Sequence, residues 1–213
     1  MRSSILKLSR LETIELTTDL EFAVTGFQKL TPVKAGTVIS ALSAECNTTS
    51  SHPFFDELGL NNDVHSFTNG RKPLLLYFYE QEWGAVSLNH LQQLQAVQTE
   101  LRDHNINLLV ITAGSIKKLE QLSWEKSWPI EVVEDTNNHL ATLLQIYSEE
   151  SPAWGSYSGI NNNISLPALY LLDSGYRVAF DYANQDLHAN LPLEEVIQAA
   201  AHAPQFGQAR RSA

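Results

Sequence analysis

Two apolar runs with a helical stripe between them govern what this chain can fold into. The first is LLLYFY at 74–79, bounded by Pro73 and Glu80, and the second is INLLVIT at 106–112. Short apolar runs rich in aromatic or β-branched residues read as buried strands. Between them Leu88, Leu91, Leu94, Val97 and Leu101 recur every three or four residues. That spacing predicts an amphipathic helix with one buried face. A strand, a helix and a second strand in this order imply parallel strands joined by a right-handed crossover.

The alternation continues downstream. SIKKLEQLSWEKSW at 115–128 reads as a short helix starting at Ser115, and PIEVVED at 129–135 as a third strand. DTNNHLATLLQIY begins with Asp135 or Thr136 as a cap and would bury Leu140, Leu143, Leu144 and Tyr147. SEESPAWGSYSGINNN at 148–163 is a long polar loop. LPALYLLDSGYRVAFDY reads as a hairpin turning at Asp173, Ser174 and Gly175. LPLEEVIQAAAHA forms a last helix, with Pro192 in its first turn and Glu194 and Glu195 favouring its dipole. The expected class is α/β, a mixed sheet with helices on both faces. Upstream, DLEFAVTGFQKL reads as a short helix capped by Asp19, and residues 41–70 as loops around an apolar turn, FFDELGL.

Composition excludes several functions. The formal net charge is -10, from 14 Lys and Arg against 24 Asp and Glu. Such a surface repels phosphate backbones and anionic lipid, so no nucleic-acid partner is expected. The basic pair Arg210 and Arg211 reads as a frayed tail. No segment approaches the roughly 18 apolar residues of a spanning helix, so no membrane partner is expected either. The opening residues lack the apolar core of a signal peptide, which leaves the cytoplasm as the default compartment. The single cysteine, Cys46, rules out an internal disulfide or a four-cysteine metal site.

The run GRKPLLLYFYEQEWGAVSLNHLQQLQ resembles the active-site region of AhpC/TSA peroxiredoxin-like proteins, a branch of the thioredoxin-fold superfamily. Many of those read as Gly-Lys-Pro, an apolar strand, Phe-Tyr-Arg, two variable residues, then Trp-Cys-Pro-x-Cys and a helix. WPIEVVEDTNNHLATLLQIY is similar to the family's Phe-Pro-Val-x-x-Asp segment, and LPALYLLDSGYRVAF to its closing hairpin. The resemblance implies a thioredoxin-like domain over residues 34–203, an extension over 1–33 and a tail over 204–213. It further implies that Pro167 is the cis-proline of such folds, facing the active turn.

At the site itself the resemblance breaks. Trp83 keeps the family's tryptophan, but Gly84 stands where the attacking cysteine would be. Ala85 replaces the proline, Ser87 the second cysteine, and Glu80 the usual arginine. Peroxide reduction needs a thiolate, stabilised by a helix N-terminus and a nearby cation. Serine cannot cycle through sulfenic acid or a disulfide, and Glu80 and Glu82 would oppose an anion. Gly84 therefore reads as a turn residue tolerating unusual dihedrals, and Ser87 as a helix N-cap or a ligand-binding hydroxyl. No catalytic residue is assigned. Glu80, Trp83, Gly84, Ser87 and Pro167 are the candidate binding residues.

Cys46, in SALSAECNTTSS, lacks the electropositive setting of a reactive thiol. Neither Glu80, Glu82 and His90 nor Asp56, Asp63 and His65 has recognised metal-ligand spacing. No metal or cofactor is expected. Trp124, Trp128 and Trp154 read as core or loop anchors. Three functions fit these features. The foremost is a redox-inactive peroxiredoxin-like protein that binds a protein or small molecule. The second is a thiol-dependent antioxidant oxidoreductase using Cys46. The third is a structural subunit whose sheet edge or helix face pairs with another copy, a homodimer being the simplest case.

Overall fold

The computed structural model describes residues 29–39, 72–128, 130–173, 175–187 and 190–202. Cys46, Asp56, Asp63, His65, Ser174, the apolar turn FFDELGL, the stretch up to residue 28 and the basic pair Arg210 and Arg211 lie outside the described residues. Five strands form one sheet: β1 (Leu74–Phe78), β2 (Asn107–Thr112), β3 (Glu131–Glu134), β4 (Ala168–Leu172) and β5 (Val178–Ala183). Their order is β3-β2-β1-β4-β5. β1 and β2 are parallel, as are β2 and β3, while β4 lies antiparallel to both β1 and β5. The alternating first half and the closing hairpin thus give the mixed sheet that the sequence predicts.

Side chains alternate across the sheet because a strand has a period of two. On β1, Leu74, Leu76 and Phe78 join Ile111, Leu140, Leu144 and Tyr170 on one face. Leu75, Tyr77 and Tyr79 join Leu91, Leu94, Leu119 and Val196 on the other. β1 is central and fully buried, so its run is apolar on both faces.

The helices are α1 (Ala85–Ala96), α2 (Gln98–Asp103), α3 (Ile116–Glu125), α4 (His139–Leu143) and α5 (Leu193–His202). The predicted stripe is divided between two helices, because Val97 leaves helical geometry at φ -98, ψ 7. Leu91, Leu94 and Leu101 are buried as expected, but Leu88 is 44% exposed. The helix begins two residues before Ser87, which rotates Leu88 away from the sheet. The N-cap position of α4 is Asn138, not Asp135 or Thr136, because a 3-10 turn over Thr136–Asn138 comes first. Asp135 still serves α4 from a distance, its two carboxylate oxygens accepting from Leu140 N (2.8 Å) and Ala141 N (2.9 Å). The β4–β5 turn runs to Tyr176, which sits at φ 56. Asp173 Oδ1 closes it by accepting from Gly175 N and Arg177 N.

Sheet edges β3 and β5 are treated differently. Residues 34–39 run along β5, with Gly36 N donating to Val178 O and Val178 N to Thr37 O, both at 2.8 Å. Lys34 Nζ pairs with Asp181 at 2.9 Å. β3 ends in exposed Glu131 and Glu134, charges that discourage further strand pairing. Of the tryptophans, Trp128 is buried but Trp124 is 85% exposed, so Trp124 is no core anchor. Among the described residues no helix is long and apolar enough to cross a membrane.

Candidate functional site

The site lies where β1 ends. Tyr79 N donates to Ile111 O at 2.7 Å, the last tie of β1 to β2. Glu80 is still extended, and a 3-10 turn over Gln81–Trp83 follows. Gly84 N donates to Gln81 O at 2.9 Å, and Gly84 itself sits at φ 55, ψ -119. This backbone conformation is open to glycine and strained for residues with a Cβ. No atom beyond its chain neighbours lies within 4 Å of where a Cβ would stand, so conformation and not space selects glycine here.

Trp83 anchors the turn to the sheet end. Its Nε1 donates to Ser165 O at 2.8 Å, and its ring meets Tyr157 edge-to-face with centroids 5.1 Å apart. Pro167 follows two residues later, immediately before β4. Its peptide bond is trans, since no described bond is cis. The expected cis-proline is thus corrected. Asn184 N bonds Pro167 O at 2.8 Å and fixes this segment through β5, while Trp83 meets the backbone at Ser165 instead.

Ser87 is corrected too. It is the third residue of α1 and fully buried, and the N-cap position is Gly84, which supplies no side-chain cap. Ser87 Oγ has no hydrogen-bond partner of good geometry. Its neighbourhood holds the Tyr77 hydroxyl, which lies 3.2 Å from His90 Nδ1. Burial pushes the Tyr77 hydroxyl far above its ordinary pKa. A buried hydroxyl left unpaired costs about 1–3 kcal/mol. Ser87→Ala is therefore expected to raise stability by about 1 kcal/mol, read as a higher urea midpoint at unchanged slope. A lower midpoint would mean that the Ser87 hydroxyl is bonded to Tyr77.

Glu80 points inward. It is 6% exposed, and its Oε1 accepts from Ala113 N at 2.8 Å. Burial, with Glu82 and Asp135 adding to it, pushes its carboxyl up to about 7 despite the opposing Ala113 bond. Burial likewise raises Asp135, against the backbone bonds it accepts from Leu140 and Ala141. Glu82 is exposed and accepts from Asn162 Nδ2 at 2.6 Å. His90, on the inner face of α1, is buried, and among the described residues no three His, Cys, Asp or Glu side chains gather closely enough to hold a metal.

The structure brings Glu80, Trp83 and Gly84 together and puts Ser87 beneath them, out of reach of solvent. It also adds residues that the sequence did not mark. Gly84 borders a groove of about 380 Å³ whose walls include Tyr79, Gln81, Leu88, Lys118 and Leu122. Lys118 Nζ donates to Gln81 Oε1 at 2.7 Å across it, and Gln121 bonds Glu125 along one rim. The periodicity of SIKKLEQL identified a helix, but only the sheet order places that helix beside Gly84.

Residues 54–180 match the model of the AhpC/TSA family. Among solved structures, a variant of the peroxiredoxin 6 of Arenicola marina is similar at TM-score 0.50 and 10% identity, covering 65% of this chain and 63% of that one. The bacterioferritin comigratory protein of Xanthomonas campestris is similar at TM-score 0.49 and 19% identity, covering 63% and 82%. The 2-Cys peroxiredoxin of Plasmodium vivax is similar at TM-score 0.46 and 20% identity, covering 62% of this chain. The chain spans 65% of that protein's length. No curated protein matches the chain.

Proposed function

The chain belongs to the AhpC/TSA family, and from that premise we propose that it is a redox-inactive member that works by binding through the surface around Gly84. The observation that carries this reading is the turn itself. Gly84 carries no nucleophile and holds a conformation that disfavours a Cβ, and Ser87 is buried with its hydroxyl turned inward. A peroxidatic turn has to present a thiolate to solvent at a helix start, and neither position can do so. The framework survives: Trp83 still fastens the turn to Ser165 and α1 still begins there. The groove supports a binding role, since pockets of about 300–1,000 Å³ with apolar walls and a few polar groups suit small ligands or side chains. Tyr79, Leu88 and Leu122 supply the apolar wall, and Lys118 and Gln81 the polar edge.

The test is hydrogen peroxide consumption with dithiothreitol or a thioredoxin system. The expected result is a rate equal to that of the blank without protein, unchanged by Cys46→Ala. Turnover above the blank that disappears in Cys46→Ala would overturn the reading in favour of an oxidoreductase built on that thiol. Solution mass tests the remaining alternative, in which the chain serves as a subunit of a homo-oligomer.

A further inference from the structure

We infer that Glu80 is a proton-controlled latch: its protonated carboxyl holds the β1–α1 turn against the β2–α3 turn, and its ionisation releases the groove between them. The inference concerns the regulation of the surface proposed above and rests on that reading.

The geometry starts from where the two turns leave the sheet. β1 and β2 are parallel neighbours, so the turns that follow them emerge side by side. Glu80 crosses from one to the other by accepting from Ala113 N at 2.8 Å. Its second oxygen faces Gly114, where a Cβ would stand 3.6 Å from Oε2 and 3.3 Å from Thr112 Oγ1. Gly114 N donates to that same threonine oxygen at 3.0 Å. Glu80 therefore plugs a close-fitting space at the ends of β1 and β2.

That space suits a neutral carboxyl better than a carboxylate. The charged groups acting on Glu80 are Glu82 from its own turn and Asp135 from the β3–α4 junction, both acidic. The titratable neighbours on its own strand are Tyr77 and Tyr79, which bring no positive charge. Lys118, the cation on the groove rim, is engaged with Gln81. A buried carboxylate with one amide donor and two acidic neighbours is costly to keep. Its protonation consequently changes near neutral pH, with a midpoint at about 7.

Relief is close at hand, because Gln81 and Glu82, the next two residues, are exposed. Rotation of the ionised side chain toward water leaves Ala113 N without its acceptor and unties the β2–α3 turn. The Lys118–Gln81 bond then remains as a tie across the groove, and it is exposed, so it contributes little. The groove is walled by Gln81 and Gly84 on the first turn and by Lys118 and Leu122 on α3, the helix that the second turn leads into.

The experiment is an NMR titration of the full chain from about pH 5 to about pH 9, a range spanning the ordinary and the raised carboxyl values. It follows the amides of Ala113 and Gly114 and the methyls of Leu88 and Leu122. The expected result is one shared midpoint near 7, with Ala113 amide exchange above it faster than base catalysis alone produces. Glu80→Gln, neutral and of the same shape, should remove that midpoint and keep Ala113 protected. A flat Ala113 profile, an ordinary glutamate midpoint, or the same titration in Glu80→Gln would overturn the latch. An Ala113 midpoint that the Leu88 and Leu122 methyls do not share would overturn its link to the groove. Peroxide turnover is not read in this experiment, so a failed latch and a failed binding role remain distinguishable.

Discussion

Trp83→Ala is expected to lower the stability of this chain by about 3–5 kcal/mol, the range for truncating a large buried aromatic. Trp83 is almost wholly buried and belongs to the core cluster under β1 and β4. Three separate losses add up. The cavity forfeits packing with the sheet end, the edge-to-face contact with Tyr157 disappears, and Ser165 O loses its 2.8 Å donor. A domain of ordinary stability has about 5–15 kcal/mol in all, so this variant stands near the edge of folding. Trp83→Phe separates the terms. It keeps most of the apolar volume but leaves the carbonyl unpaired, and its loss should be about 1–3 kcal/mol. Urea denaturation of the three proteins checks both values. A loss below about 1 kcal/mol in Trp83→Ala would place it among ordinary surface substitutions and refute the anchoring role.

The second large effect is a fall in stability as pH rises from about 5 to about 8, by up to about 3 kcal/mol from Glu80 alone. The figure follows from a carboxyl raised from 4.5 to about 7, at about 1.4 kcal/mol per unit. Its sign follows from proton counts. Between the two values the folded chain keeps a proton that the unfolded chain releases. The stabilising difference is therefore fully present below 4.5 and is lost as pH rises through about 7. Asp135, also raised by burial, adds a change of the same sign. Glu80→Gln should match the wild type near pH 5 and exceed it near pH 8. Thermal and urea midpoints across this range measure it. Parallel wild-type and Glu80→Gln curves would show that Glu80 ionises freely in the folded chain.

These two residues illustrate how unevenly the site could be read in advance. Trp83 and Gly84 were legible because their demands are local. A tryptophan after an apolar strand needs a place to bury itself, and a glycine before a helix marks an unusual dihedral. Ser87 reads as a cap because a serine near a helix start favours that position. The three-residue 3-10 turn at Gln81–Trp83 and the dihedrals of Gly84 start the helix earlier, and that carries Ser87 inside. In the sequence Glu80 reads as a charge opposing an anion. Nothing in EQEW shows that one glutamate turns inward to Ala113 while the other faces Asn162.

By itself the sequence determined the order of strands and helices, the mixed sheet and the loss of both thiols. Those follow from side-chain period, chain length between apolar runs and residue identity, all of which act along the chain. Tertiary structure alone decided that Glu80 is buried among acidic neighbours, that Pro167 is trans, that Ser87 has no access to solvent, and that α3 walls a groove at Gly84. The burial of Glu80 and the groove depend on groups far apart in sequence meeting at the ends of β1 and β2, where desolvation and a single backbone amide determine the protonation and orientation of Glu80.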